Sequence, residues 1–224
     1  MDFTKYMDGS PTKKGDVIYL TNIMKMKDGR LWNNSTRFGL DPDYKIPLVK
    51  IVIGDDAVDN SLIPTGLRQV PKFQYGDWKK EIADAPVFTL QRGSSGIDPE
   101  VEWLINDHPF DPTVPLISVK KGSYGVWRIR NGGGGGWVHP MHLHMEEHRV
   151  VMRNGKLTGN QSSGPSNDPG HPDDISKEDV VALDPAETVR FYRNFRTFNG
   201  KYVAHCHNLM HEDHSMMFGW DIVP

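Results

Sequence analysis

Residues 205–217 read HCHNLMHEDHSMM and hold the chain's only cysteine, Cys206, between His205 and His207. If this segment is extended, successive side chains point to opposite faces. His205 and His207 then share one face and Cys206 takes the other. The fold must therefore provide two chemically different environments, back to back on one strand. A second stretch, HPMHLH at 139–144, has the same property. His142 and His144 share a face, and His139 has the opposite parity, although Pro140 loosens that inference.

A soft sulfur flanked by imidazoles points to a transition metal. Two sites are expected. One takes Cys206, His139 and ligands from the loop after the strand, where His211 and Met216 follow the cysteine by five and ten residues. Two imidazoles, a thiolate and a thioether make the donor set of a blue-copper electron-transfer site. Zinc is the competing metal, but its structural sites favour several cysteines and rarely use methionine. The other site takes His142, His144, His205 and His207, an all-imidazole set suited to copper that cycles between oxidation states. Cys206 shares backbone with both neighbouring histidines and is expected to relay electrons between the sites.

The rest of the chain reads as short strands between turn signals. Gly 22 and Pro 16 in 224 residues without repeats favour turns over helix. Strand candidates are 16–23, 46–55, 85–92, 101–107, 125–131, 141–155, 178–195 and 200–208, with period-two alternation clearest in WRIR and VRFY. Residues 28–44 read as a loop, and residues 155–174 as a long polar excursion. NLMHEDHSMM has room for one helical turn. The five glycines at 132–136 precede no helix start, so they read as a flexible turn that lets Trp137 and His139 approach the site.

This spacing predicts an all-β sandwich at about 82–224. Residues 61–81 read as a linker, and 1–60 supply two or three strands, too few to close a sandwich. Those strands are expected to be the last part of a preceding domain. Net charge is −3 with both signs mixed, which disfavours nucleic acid as a partner. No apolar run approaches a membrane span. The first sixteen residues are polar, without the apolar region of a signal peptide. A single cysteine says nothing about redox compartment.

Most isolated histidines in β domains are structural, so His108, His148, His171 and His214 stay unassigned, with His214 expected beside the site or at the surface. Met24, Met26, Met145, Met152 and Met210 read as packing residues.

The H-x-x-H-x-H and H-C-H-x-x-x-H-x-x-x-x-M motifs resemble those of the three-domain multicopper oxidases, in the bilirubin oxidase, spore-coat laccase and phenoxazinone synthase branch. VIYLTN and KIPLVKIVIGDD resemble the end of the family's middle domain, and IPTGLRQVP the linker into its last domain. The resemblance implies a plastocyanin-like, cupredoxin-like Greek-key β-sandwich preceded by the last strands of another cupredoxin domain. It makes His139, Cys206, His211 and axial Met216 the type 1 copper ligands. His142 then matches a type 2 ligand, and His144, His205 and His207 match type 3 ligands. Glu212 matches an acidic residue that feeds protons to the trinuclear cluster, its alternative being a solvated loop carboxylate. The family completes that cluster with two H-x-H motifs in an N-terminal cupredoxin domain, whereas here no histidine precedes His108.

The implied activity is one-electron oxidation of an organic or metal-ion reductant, with dioxygen reduced to water. A single-copper electron carrier is the alternative, and it leaves four histidines idle. A copper nitrite reductase needs a histidine on only one side of the cysteine.

Overall fold

The computed structural model describes residues 3–23, 26–27, 30–31, 45–62, 64–66, 78–93, 102–133, 135–158 and 177–224. Most of the expected loop at 28–44, of the linker at 61–81 and of the polar excursion at 155–174 lies outside these residues, as do Met24 and His171. The chain divides into two compact units, Met1–Lys25 with Gly39–Gln74, and Met26–Phe38 with Tyr75–Pro224.

The first strands in sequence are β1 (Val17–Asn22), β2 (Met26–Lys27), β3 (Arg30–Leu31) and β4 (Ile46–Val52). In the first unit β1 and β4 form an antiparallel ribbon with Val17 opposite Val52. Tyr19, Leu20, Leu48, Val49 and Val52 on it are all exposed. Strands β2 and β3 pair as a short hairpin assigned to the second unit.

The second unit continues with a short helix, α1 (Trp78–Ala83), and strands β5 (Val87–Gly93), β6 (Glu102–Ile105), β7 (Pro115–Lys120), β8 (Tyr124–Asn131) and β9 (His139–Leu143). There follow β10 (His148–Arg153), β11 (Lys156–Leu157), β12 (Val180–Leu183), β13 (Thr188–Asn194), β14 (Gly200–Cys206), helix α2 (Leu209–Asp213) and β15 (Met217–Val223). A six-stranded sheet runs β11-β10-β13-β8-β5-β6 and a five-stranded sheet runs β12-β9-β14-β15-β7. This is the cupredoxin-like β-sandwich. Among the described residues no helix is long and apolar enough to cross a membrane.

Alternating burial explains the packing. Along β9 the pattern is buried at His139, Met141 and Leu143 and half-buried at Pro140 and His142. Along β15, Phe218, Trp220 and Ile222 point inward. Aromatic rings join the two sheets. Phe88 of β5 stacks on Phe218 of β15 with centroids 4.3 Å apart, and Trp127 of β8 meets Trp220 of β15 edge-on at 5.4 Å. Each such buried ring contributes roughly 1.5–3 kcal/mol through area alone.

Three elements differ from the sequence pattern. Helix α1 begins inside the stretch read as a linker. Its signal is only Trp78 and Ile82, four residues apart, with Ile82 and Ala85 buried. Strands β7 and β15 fall outside the strand candidates of the sequence pattern. β15 begins at the end of the HCHNLMHEDHSMM stretch, and β7 begins at a proline, which its place at the sheet edge tolerates. The stretches 141–155 and 178–195 each break into two strands.

Candidate metal centre

Two clusters of metal-ligating side chains form, one on each side of the β9–β14 strand pair. On the core side His139, Cys206 and His211 converge. His139 Nδ1 and His211 Nδ1 are 3.0 Å apart, and Cys206 Sγ lies 3.6 Å from each. All three residues are buried. Metal bonds of roughly 2.0 Å to nitrogen and 2.3 Å to sulfur place such nitrogen–sulfur pairs about 3.5–3.7 Å apart. The donor atoms thus stand at separations that a single ion could span.

Local structure explains why they meet. Cys206 ends β14 and His139 begins β9, with Cys206 opposite Met141 in the ladder. Asn208 caps α2 by accepting a hydrogen bond from the Met210 N–H, and this one-turn helix returns His211 towards the thiol. Met216 closes the loop. Its N–H donates to the His211 carbonyl at 2.9 Å, and its carbonyl accepts from the Cys206 N–H at 3.0 Å. The Met216 side chain is fully buried in the same core cluster. At the glycine run, Gly135 and Gly136 adopt positive φ of 71° and 79°, and a Cβ on Gly132 would meet Thr89 at 2.8 Å. The turn before Trp137 therefore needs glycine for conformation and for space.

Electrostatics favours the metal-ready form of the imidazoles and opposes that of the thiol. Burial, aided by His211, pushes the His139 pKa down to about 3. Burial, with His214 and Arg92, pushes His211 down to about 4. Burial raises the Cys206 thiol to about 12, so only a bound cation would make it a thiolate near neutrality.

On the outer side His142, His144 and His205 present nitrogens within 4.8 Å of one another. His144 Nε2 faces His205 Nε2 at 3.2 Å. The other nitrogens are held from behind. His142 Nδ1 is 3.1 Å from the Asp179 carbonyl, and His205 Nδ1 is 3.3 Å from the Cys206 carbonyl. Such contacts fix ring orientation in metal-binding histidines. His207 lies just past β14, its ring 5.7 Å from His142 and 5.5 Å from His205, outside the tighter triad. Glu212 Oε2 is 3.3 Å from His205 Nδ1, within ion-pair distance but without hydrogen-bond alignment. The carboxylate thus abuts the outer cluster from the loop that carries His211.

Sequence reasoning missed Trp103. Its ring lies 4.0 Å from that of His211 and 5.4 Å from that of His139, and it meets Trp137 edge-on at 5.3 Å. No signal within VEWLIND marks it, because the contact exists only once β6 packs across from α2. The unassigned histidines separate. His148 is fully buried against Phe191, while His214 forms the exposed C-cap of α2.

A sequence profile of the multicopper oxidase family matches residues 82–224. Bilirubin oxidase of Albifimbria verrucaria is 31% identical over 193 residues, covering 80% of this chain and 29% of that protein. A laccase of Bacillus subtilis (strain 168) is 34% identical over 174 residues, covering 73% of this chain and 32% of that protein. This chain thus spans about a third of the length of these relatives. Among solved structures, a multi-copper oxidase from Pediococcus acidilactici superposes with a TM-score of 0.56 at 27% identity, covering 82% of this chain and 34% of that one.

Proposed function

Because the chain belongs to the multicopper oxidase family, we propose that it forms the type 1 site and one half of the trinuclear site of a copper-dependent oxidase that reduces dioxygen to water. The observation that carries this reading is the convergence of His139 Nδ1, His211 Nδ1 and Cys206 Sγ within 3.6 Å, directly behind the outer histidine cluster. Copper, when bound, supplies the one-electron redox chemistry, and the protein positions and tunes it. His139, Cys206 and His211 would hold the type 1 ion, and Met216, buried in the core and hydrogen-bonded through its backbone to His211 and Cys206, would add a weak thioether donor. His142 serves the type 2 ion, and His144, His205 and His207 serve the type 3 pair. Cys206 carries electrons onward through the backbone it shares with His205 and His207.

Glu212 holds protons beside the outer cluster and delivers them during dioxygen reduction, a role supported by its 3.3 Å approach to His205 Nδ1. The remaining cluster ligands come from an N-terminal cupredoxin domain carrying two H-x-H motifs, and residues 1–60 are the end of a middle domain. The reductant is an organic molecule or a metal ion.

The test is copper loading followed by spectroscopy and oxygen consumption. The expected result is an intense blue thiolate-to-copper band from this polypeptide. Oxidation of a phenolic donor, with oxygen uptake, should appear once a polypeptide supplying two H-x-H motifs is added. A copper-loaded protein without the blue band overturns the type 1 assignment. Blue protein that never consumes oxygen with such a partner supports a single-copper electron carrier instead. In the complete oxidase, Glu212→Gln should slow oxygen reduction while leaving the blue band in place.

A further inference from the structure

Trp103 belongs to the six-stranded sheet, whereas His139 and Cys206 belong to the five-stranded one. From the far sheet its indole reaches across to the ligand loop. The ring lies over His211 with centroids 4.0 Å apart and planes inclined by 38°, and it meets His139 edge-on at 5.4 Å. Trp137 approaches His211 from another side, edge-on at 5.0 Å. The backbone adds a second link, since the Trp103 N–H donates to the carbonyl of His214, the C-cap of α2, at 3.0 Å. Arg92, opposite Trp103 in the β5–β6 ladder, places its guanidinium 5.7 Å over the indole. Trp103 itself is 5% exposed.

We propose that Trp103 is the positioning residue of the type 1 site, fixing the ring plane of His211 and excluding water from the His139–His211 pair. The proposal rests on the type 1 reading above. His211 comes from a one-turn helix, too short to hold its side chain through its own packing. The imidazole needs a rigid surface beside it, and Trp103 provides one that is itself tethered to the same loop. A ring held in one plane keeps its Nδ1 aimed at the thiol. A dry site disfavours the more highly charged cupric state relative to the cuprous state, because low dielectric penalises charge. Trp103 therefore raises the reduction potential and narrows the range of copper geometries.

The experiment compares copper-loaded parent, Trp103→Ala, Trp103→Leu, Trp103→Phe and a core control, Phe88→Leu, by visible absorption, electron paramagnetic resonance and potentiometric titration. The expected result is a weakened, shifted blue band, a larger copper hyperfine splitting and a lower potential in both Trp103→Ala and Trp103→Leu. Trp103→Phe should restore most of each signal. Phe88→Leu should lower the melting temperature without moving them. If Trp103→Ala does not fold, Trp103→Leu decides the question, since it fills part of the volume without a ring. A blue parent with Ala and Leu variants of unchanged spectrum and potential overturns the role of Trp103 and leaves the type 1 site standing. Equal spectral changes in Phe88→Leu also overturn it, by showing a general packing effect. A parent without the blue band removes the type 1 site and this inference with it.

Discussion

His205 stands directly opposite His142 across the β9–β14 ladder, their rings 5.4 Å apart, and the next pair along, Cys206 and Met141, points to the other side. One residue step along two paired strands thus separates an outer imidazole cluster from a buried sulfur site. The two environments share backbone but not side-chain space.

This separation predicts that the sites respond independently to substitution. Cys206→Ser is expected to abolish the blue band of copper-loaded protein. His142→Ala is expected to leave it nearly intact, because His142 lies on the other face of the strand. Absorption spectra of the two variants at equal copper loading check this. A blue Ser variant would falsify the assignment of Cys206.

Met216 is buried in the core and backbone-linked to both His211 and Cys206. Met216→Leu nearly conserves volume and should cost less than about 1.5 kcal/mol of stability. Axial thioether bonding is long and weak, so copper should stay bound. Loss of this electron donor should raise the reduction potential. A lowered potential on electrochemical titration contradicts the axial role.

The copper-free protein should be acid-sensitive in a defined window. Burial lowers the pKa of His139 and His148 from 6.5 to about 3, and that of His211 to about 4. Unfolded, these residues take up protons as pH falls through 6.5, while folded they do not. The unfolded state then binds more protons, and folding stability falls with decreasing pH by about 1.4 kcal/mol per unit for each such histidine. The loss should begin near pH 6.5 and level off near pH 3. Urea denaturation of copper-free protein across that range checks the slope, and a flat profile would count against neutral buried histidines.

Arg193 is buried between Trp127 and Trp220, its guanidinium carbon 5.0 and 4.6 Å from their ring centroids, and donates through Nη2 to the carbonyls of His144 and Glu146. Burial pushes its pKa down to about 9. Arg193→Lys keeps a charge but loses the planar stacking and the two-carbonyl contact, and should cost roughly 2–4 kcal/mol. It should also loosen the backbone that presents His144. Chemical denaturation measures the first effect, and weaker copper retention by the outer cluster reports the second.

HCHNLMHEDHSMM and HPMHLH supply the candidate ligand side chains and their strand parity. Period-two geometry places His205 and Cys206 on opposite faces of any strand, so two back-to-back sites follow from HCH alone. The His139, His142 and His144 parities, the all-β class and the main strands were legible for the same reason: each depends on neighbours within a few residues. Contacts between distant segments arise only in the folded chain. Tertiary structure brought His139 to His211 across 72 residues of chain, at 3.0 Å. It set Glu212 against His205 rather than in solvent, and it placed Trp103 on His211 from the opposite sheet. It also added α1, whose only local signal is Trp78 and Ile82, and β7, an edge strand that pairs in parallel with β15. These contacts depend on how two sheets pack, and side-chain periodicity within one segment carries no record of the partner that segment will meet.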